Sequence, residues 1–430
     1  MNPILPAEFL IPDAEGHVMP DGRLYIYGSQ DKYEKDQWCS TEYRVFSCED
    51  PMLESWTDHG VSFQNRSEDG QVYWRRGKRL YAPDAIHKDG CYYLYFCGSG
   101  GYEGVAVSDR PEGPFADVSL MAVADGEGID PAVFVDEDGS AYYLWGQYEL
   151  RGAKLKDDMR TIDTATINRC LLSEPEHGFH EGASLRKRNG KYYLVYCDTS
   201  RGKATCLSYA VSDHPLGPYK KGGVIIDNAL CEQETWNNHG SIECFHGQWY
   251  VFYHRACNGT KYWRRVCAEP IVFDESGHIK EVEMTSNGAA EPLDARKPIP
   301  AACACRMYRD VYIRMEYHDG KMMQWLAGAG EHGRMKMWAE YKYLDFHDGV
   351  SRCTIEAKGN CTVQLRTLGN QICGSCELKN GDVTTYTFAV SGLSGVMPVW
   401  FDFSDGDFEL HSFLFSADHA VPGNAFTDNR

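Results

Sequence analysis

A short motif, Gly-x-x-Tyr followed by alternating apolar and aromatic residues, occurs five times in this chain and constrains its fold more than any other feature. Its glycines stand at positions 22, 90, 139, 190 and 247, at intervals of 68, 49, 51 and 57 residues. An interval near 50 residues is what one propeller blade of four short strands occupies. The repeat therefore predicts an all-β fold with a five-bladed β-propeller; a β-sandwich with coincidental hairpins is the alternative.

The residue before each of these glycines indicates a hairpin. These residues are Asp21, Asp89, Asp138, Asn189 and His246. Asp-Gly and Asn-Gly are the strongest signals of a tight β-hairpin, because both turn positions need positive φ. We therefore expect tight hairpins in four units and a weaker version of the turn in the fifth.

A polar residue that is unusual for a buried strand stands six to nine residues before each glycine. In chain order these residues are Asp13, Asp84, Asp130, Glu181 and His239. The innermost strand of each blade lines the central channel of a propeller. We therefore expect four carboxyl groups and one imidazole to form a ring at one mouth of the channel.

Carboxyl groups placed together in this way can divide acid and base roles. Repulsion and partial burial split their pKa values, so that one group stays protonated while another stays ionised. Glycoside hydrolysis requires such a pair. A single aspartate is more often a turn or strand-end residue, but the matching register of Asp13, Asp130 and Glu181 favours catalysis.

The segments around these residues resemble glycoside hydrolase family 43, in the family's order and spacing. The likeness is carried by Ile11-Pro-Asp13-Ala-Glu-Gly-His-Val with Tyr25-Ile-Tyr-Gly-Ser-Gln-Asp31, by Tyr81-Ala-Pro-Asp84, by Asp130-Pro-Ala-Val-Phe134, by Glu181-Gly-Ala-Ser and by Asn238-His239-Gly-Ser. Two places depart from the family pattern. Ala14 follows Asp13 where the family usually has proline, and Tyr81 replaces a frequent tryptophan.

The resemblance implies an inverting, single-displacement mechanism and assigns three catalytic roles. Asp13 would be the general base that activates water, and Glu181 the general acid that protonates the leaving oxygen. Asp130 would orient Glu181 and raise its pKa. Inversion requires the base and the acid to stand roughly 6.5–9.5 Å apart, which leaves room for the water.

The family likeness also points to residues that bind substrate or an ion. Arg264 falls where the family has a sugar-binding arginine, with Arg265 as the adjacent alternative. Asp84 and Tyr81 are expected in the substrate site, and Trp74, Trp145 and Trp236 are candidate sugar platforms. His239 corresponds to a histidine that often holds a calcium ion through water; a role within the core is the alternative. No cofactor is required, and a structural calcium ion in the channel is a candidate only.

The C-terminal third has a different pattern. Residues 291–301 include Lys297-Pro298-Ile-Pro300 and read as a linker with little regular structure. Short alternating strands with Gly-rich turns follow, which is a β-sandwich signature. We therefore divide the chain into a propeller at 1–290, a linker at 291–301 and a β-sandwich at 302–430.

Three segments of this last domain resemble carbohydrate-binding module family 6. They are Trp338-Ala-Glu-Tyr341-Lys-Tyr-Leu-Asp-Phe346-His-Asp-Gly349, Ser391-Gly-Leu-Ser-Gly395-Val and Phe408-Glu-Leu-His-Ser-Phe413. Where that family tends to have asparagine for sugar binding and then Asp-Trp, this chain has Glu409, His411 and Ser412. A structural role for the module is therefore at least as strong a hypothesis as sugar binding.

Charge and cysteine usage exclude several classes of partner. The formal net charge is −19, whereas a nucleic-acid binder needs a basic face. The basic run Trp74-Arg75-Arg76-Gly77-Lys78-Arg79 is short enough to be a solvated loop.

No run of about 18 apolar residues indicates a membrane span. Seventeen scattered cysteines without an N-terminal export signal are typical of reduced thiols, so we expect a cytoplasmic protein. Cys373-Gly-Ser-Cys376 has no second pair to form a zinc site.

The resemblance to family 43 implies a glycosidase that removes terminal pentoses, as a β-xylosidase or an α-L-arabinofuranosidase, from short plant-derived oligosaccharides. A glycoside phosphorylase is one alternative, but it needs a phosphate pocket, and the base position is filled by Asp13. A propeller that binds sugar without turnover is the other alternative. The sequence does not indicate the oligomeric state.

Overall fold

The five Gly-x-x-Tyr segments form the second strands of five consecutive antiparallel sheets, as the repeat predicts. The computed structural model describes residues 1–33, 36–66, 70, 72–74, 78–123, 128–330, 337–404 and 406–417. Residues 75–77 of the basic run and residues 418–430 of the expected sandwich lie outside these ranges.

Each of the first four blades is a four-stranded meander in which the strands pair in chain order. Blade 1 comprises β1–β4, Glu15–Val18, Leu24–Tyr27, Glu42–Cys48 and Trp56–Gln64, and blade 2 comprises β5–β8, Asp84–Lys88, Cys91–Gly98, Tyr102–Ser108 and Ala116–Leu120. Blade 3 comprises β9–β12, Ala132–Val135, Ala141–Trp145, Glu149–Lys154 and Asn168–Ser173, and blade 4 comprises β13–β16, Phe179–Arg188, Lys191–Asp198, Cys206–Ser212 and Lys220–Asp227. Blade 5 comprises β17–β19, Ser241–Phe245, Gln248–Cys257 and Thr260–Ile271.

The turns after the inner strands are of two lengths. In blades 2, 4 and 5 a two-residue turn has positive φ at both positions, including His246 (φ 49°) before Gly247. In blades 1 and 3 five residues separate the strands, and Gly22 and Gly139 have positive φ. The expectation of tight hairpins is therefore corrected in two blades, where the glycine closes a longer loop.

The inner strands of the first and last blades meet and close the ring. A parallel bridge joins Ala14 to Gly240, and the Ser241 hydroxyl accepts a hydrogen bond of 2.9 Å from the Gly16 N–H. The N-terminal segment lies against the last blade, where the Ile4 N–H donates to the Val266 carbonyl at 3.1 Å. These contacts between the first blade, the N-terminal segment and the last blade close the propeller.

The C-terminal third forms two six-stranded sheets, which is the predicted β-sandwich. One sheet contains β20, β22, β25, β27, β28 and β30, at Leu293–Asp294, Arg306–Tyr308, Met337–Asp345, Thr362–Thr367, Gln371–Glu377 and Val396–Ser404. The other contains β21, β23, β24, β26, β29 and β31, at Ile299–Pro300, Val311–His318, Lys321–Gly330, Arg352–Gly359, Asn380–Ala389 and Gly406–Ser416. The segment 291–301 is not irregular, because β20 and β21 pair with one sheet each.

Helical structure is short in the described part of the chain. One α-helix, α1, spans Glu174–His177 between blades 3 and 4, and 3-10 turns occur at Thr164–Thr166, Ala301–Cys303 and Leu368–Asn370. None of the described helices is long and apolar enough to cross a membrane.

The sandwich packs directly against the last blade of the propeller. The Ile313 N–H donates to Glu232 at 2.8 Å, and the Ile313 carbonyl accepts from the Asn258 N–H at 2.7 Å. Trp263 from the propeller lies in the same apolar cluster as the sandwich core. Because buried apolar surface and buried hydrogen bonds both cross this boundary, the two parts stabilise each other.

Candidate active site

A cavity of about 270 Å³ opens at the end of the channel where the inner strands begin. Seven of the residues predicted for the site line it: Asp13, Tyr81, Asp130, Glu181, Trp236, His239 and Arg264. They come from all five blades or the loops that lead into them. The convergence of the inner strands therefore brings together side chains that are up to 251 residues apart in the chain.

Three of these side chains occupy equivalent positions in their blades. Asp13, Asp130 and His239 each stand two residues before the inner strand, and Glu181 is the third residue of β13. Asp13 and Asp130 have φ values of 55° and 52°. This left-handed conformation is uncommon outside glycine, and aspartate tolerates it better than most residues.

Asp13 lies among positively charged and hydrogen-bonding groups. Arg264 Nη1 donates to Asp13 Oδ1 at 2.8 Å, and the Ser29 hydroxyl donates to Oδ2. Burial opposes ionisation, but Arg264, His239 and His254 outweigh it together with Ser29, so that the pKa of Asp13 is lowered. A buried carboxylate that stays ionised can accept a proton from water.

Asp130 is in the opposite electrostatic situation. Burial raises its pKa well above the usual range, and the charges of Glu181 and Asp13 raise it further. His239 Nδ1 lies 3.8 Å from Asp13 Oδ1 and 3.9 Å from Asp130 Oδ2. Burial lowers the pKa of His239, so this ring holds a proton less readily than a solvent-exposed imidazole.

Glu181 is held by two side-chain amides that were not predicted from the sequence. Gln147 Nε2 donates to Oε2 at 2.8 Å, and Asn237 Nδ2 donates to Oε1 at 3.1 Å. Both amides belong to loops that line the cavity. Asn237 directly precedes the Asn238-His239 motif, and this position could have indicated that it lies in the site. Nothing in the repeat points to Gln147.

The choice between two adjacent arginines is decided by strand alternation, since successive side chains of a strand point to opposite faces. Arg264 faces the cavity and also donates from Nε and Nη2 to the two carboxylate oxygens of Asp31, both at 2.9 Å. Arg265 faces the sandwich, where it donates to Gln324 at 2.6 Å. Arg264 is therefore the arginine of the site.

Comparison with known proteins agrees with this geometry. The model of the family described as glycosyl hydrolases family 43 matches residues 1–279, which include every residue of the cavity described above. The chain belongs to glycoside hydrolase family 43.

Relatives of this family 43 hydrolase match it over one or both domains. A xylosidase/arabinosidase from Thermoclostridium stercorarium is 31% identical to this chain. The alignment covers 97% of this chain and 99% of the relative. Xylosidase/arabinosidase 43A from Humicola insolens is 37% identical over 62% of this chain and 95% of its own. A solved β-xylosidase/α-arabinofuranosidase from a compost metagenome, in complex with xylotriose and in a calcium-free form, has a TM-score of 0.55 and 29% identity over 66% of this chain and 97% of its own.

One carboxyl group of the expected ring lies elsewhere in the family 43 structure. Asp84 is fully buried, accepts from the Val133 N–H at 2.7 Å and pairs with His17 Nε2 at 2.7 Å. Asp84 is the first residue of its inner strand, whereas Asp13 and Asp130 stand two residues before the first residue of theirs. The residue two positions before Asp84 is Ala82, which lines the cavity. Asp84 is therefore about 7 Å deeper in the channel, and its prediction as a substrate-binding residue is corrected.

Two of the three candidate tryptophan platforms also lie outside the cavity. Trp74 is 4% exposed and stacks on Phe96 in the core of the propeller, and Trp145 is 1% exposed. The third predicted tryptophan, Trp236, lines the cavity and is 46% exposed, and Trp38, which was not predicted, lines it as well.

The clustered metal-ligand side chains in the described part of the chain lie beneath the cavity and do not include His239. Among the described residues, one group of possible metal ligands has its ligand atoms within 4.8 Å of one another. This group is Glu15, His17 and Asp84, which lie below the cavity. The guanidinium group of Arg186 lies in this group, 3.3 Å from Glu15 and 3.4 Å from His17. A hard cation would have to sit beside that positive charge, so the donor set does not fit calcium.

Proposed function

We propose that this family 43 hydrolase removes terminal xylose or arabinofuranose residues from short oligosaccharides with inversion of configuration. The observation that carries the proposal is the contrast between Asp13, whose pKa is lowered, and Asp130, whose pKa is raised, in one cavity with Glu181. Such a contrast assigns base and acid sides to a glycosidase site.

The shape of the cavity favours attack at a chain end. Its volume lies near the lower limit of small-molecule sites, and the channel beneath it is filled by the buried side chains of Glu15, Asp84 and Arg186. A blind site of this size holds one or two sugar rings rather than the middle of a polymer. Trp38 and Trp236 at its wall offer apolar faces to a sugar ring.

The reaction needs two proton transfers, and the structure supports a donor and an acceptor for them. Asp13 accepts a proton from the water whose oxygen attacks the anomeric carbon. Glu181, oriented by Gln147 and Asn237, donates a proton to the glycosidic oxygen as the bond to that carbon breaks. Burial and the charge of Glu181 raise the pKa of Asp130, whereas the pKa of Asp13 is lowered, so Asp13 is the one of these two aspartates that ionises at lower pH. No step requires a cofactor.

The test combines rate and stereochemistry. Wild type and Glu181→Gln are compared on xylo-oligosaccharides and arabinoxylo-oligosaccharides, whose leaving groups need a proton. Proton NMR of the wild-type reaction on p-nitrophenyl β-D-xylopyranoside and p-nitrophenyl α-L-arabinofuranoside identifies the first anomer released. We expect an inverted anomer and a large loss of activity in the variant. A retained anomer would contradict direct displacement, and an unchanged rate in Glu181→Gln would remove it as the acid.

The division at residue 290 and the role of the C-terminal sandwich belong to the same proposal. Glu409 is bound by Arg314 at 2.6 Å and Lys358 at 2.9 Å, and Ser412 donates to Glu356 at 2.9 Å. Because side chains at these module family 6 positions are engaged within the sandwich, we assign it a supporting role on the propeller. A chain ending at residue 290 should then be insoluble or unstable; a stable, fully active propeller alone would contradict this role.

A further inference from the structure

The central channel contains a second layer of charged residues beneath the cavity. Side chains two residues apart on a strand face the same side, so Glu15 and His17 follow Asp13 into the channel, as Ser241 and Glu243 follow His239. In β13 a register shift follows Glu181, where Gly182 has a φ of 66°. A bulge of this kind changes which residues face inward, and it turns Ser184 and Arg186 toward the channel.

Arg186 is the centre of this layer. It is buried, and its guanidinium group donates to Glu243 at 2.9 Å, to the Gly16 carbonyl at 2.6 Å and to Glu15 at 3.3 Å. Its remaining donors reach the Ser184 hydroxyl and the Leu185 carbonyl at 3.2 and 3.0 Å. A guanidinium group has five N–H donors, and acceptors surround it on every side.

The network that starts at Arg186 connects all five blades. Arg186 belongs to blade 4, Glu243 to blade 5 and Glu15 with His17 to blade 1. His17 contacts Asp84 of blade 2 at 2.7 Å, and Asp84 accepts from the Val133 N–H of blade 3. A single positive charge thus lies among three carboxyl groups from three blades. One further acceptor, Glu15 Oε1, is buried and has no hydrogen-bond partner.

We propose that the Arg186 guanidinium group takes the place of a bound metal ion as the structural cation of the propeller channel. A divalent ion at bonding distance from Glu15, His17 and Asp84 would need oxygen contacts of about 2.3–2.6 Å, and Arg186 Nη2 already lies 3.3–3.4 Å from two of these side chains. The ion and the guanidinium group therefore exclude each other. The wild-type enzyme therefore needs no metal ion at Glu15, His17 and Asp84, and removal of Arg186 creates an acidic cavity that binds one.

The test measures thermal stability of the full chain and binding of a probe ion. Wild type, Arg186→Ala and the control Arg188→Ala are unfolded in EDTA and in millimolar calcium, and terbium luminescence reports an ion-binding site. Arg188 lies two residues further along β13 and stacks on Phe273, so its loss removes an arginine of the same strand without changing the channel.

We expect the Tm of wild type and Arg188→Ala to be the same in EDTA and in calcium. Arg186→Ala should lose on the order of 5 °C in EDTA, because Glu15 and Glu243 lose their ion-pair partner, and should regain several degrees in calcium while it binds terbium. Calcium stabilisation of the wild type, or an Arg186→Ala protein that does not respond to calcium, would overturn the proposal. If Arg186→Ala does not fold, Arg186→Lys keeps a cation and should fold without a calcium response; a response in that variant would also overturn it.

Discussion

The ionisation of Asp13 depends on Arg264, and removal of this arginine should move the acidic limb of the pH profile of kcat/KM to higher pH. The Nη1–Oδ1 distance of 2.8 Å places the two charges about 4 Å apart between their centres. At an effective dielectric constant of about 20 their attraction is about 4 kcal/mol, an upper limit of about three pKa units. Carboxylates beside an arginine usually have pKa values lowered by about 1–3 units. Loss of the positive charge disfavours the carboxylate, so the pKa of Asp13 rises by that amount.

The acidic limb reports the general base, because kcat/KM follows the ionisation of the free enzyme and only ionised Asp13 accepts a proton. Asp31, the other partner of Arg264, adds little to the shift, since burial already raises its pKa to about 6 and it becomes neutral without the arginine. We therefore expect the limb of Arg264→Met to lie about 1–3 pH units above that of wild type.

Two variants separate charge from position in this experiment. Arg264→Lys keeps the positive charge and loses the paired hydrogen bonds to Asp31, so its kcat/KM should fall while its acidic limb stays near that of wild type. Arg265→Met removes the neighbouring arginine, which contacts Gln324, and should not move the limb. The reasoning is refuted if the limb of a folded Arg264→Met variant coincides with that of wild type or moves to lower pH.

Three further predictions concern the acid, the tryptophans and the thiols. Glu181→Gln should lower kcat by about 10²–10⁴-fold on xylo-oligosaccharides and by less on p-nitrophenyl glycosides, whose leaving group needs no proton; equal losses on both substrates would contradict the acid role. Trp38→Ala should raise KM with little change in Tm, whereas Trp74→Ala should lower stability by about 3–5 kcal/mol, and denaturant unfolding with steady-state kinetics distinguishes the two outcomes. All 17 cysteines are unpaired, so the unfolded, unreduced chain should react with 17 equivalents of a thiol reagent, and a smaller number would indicate disulfides.

The propeller could be predicted from the sequence because its signal is local and repeated. Each Gly-x-x-Tyr segment carries a turn glycine and a strand pattern, and five copies at similar spacing leave few alternative folds. The catalytic candidates followed from the same register, since Asp13, Asp130 and Glu181 all stand nine residues before their turn glycine. Local chemistry and spacing were sufficient to predict the propeller and the convergence of these three side chains at one cavity.

The errors arose where local spacing does not determine depth or contact. Asp84 stands six residues before its glycine, and the turn that follows is two residues long in its blade and five in the blade of Asp13, so the count did not show which layer of the channel it reaches. The sequence does not distinguish Trp74 from Trp38, since each is a tryptophan in a loop between strands. In the folded chain Trp74 is buried in the core and Trp38 lies at the cavity wall. Gln147 lies in a loop outside the repeat, and only the folded chain brings it to Glu181.

The chemistry of the site comes from a difference imposed on positions that the repeat makes alike. Asp13 and Asp130 stand at the same point of their blades and share the left-handed backbone, so the scaffold alone would give them similar pKa values. Arg264 reaches Asp13 from the last blade and donates to its carboxylate, whereas Asp130 receives the charge of Glu181 instead. Burial amplifies both effects by reducing solvent screening. Arg264 helps to lower the pKa of Asp13, whereas burial and the charge of Glu181 raise that of Asp130. Any substitution that equalises the two environments should therefore reduce catalysis even where both carboxyl groups remain.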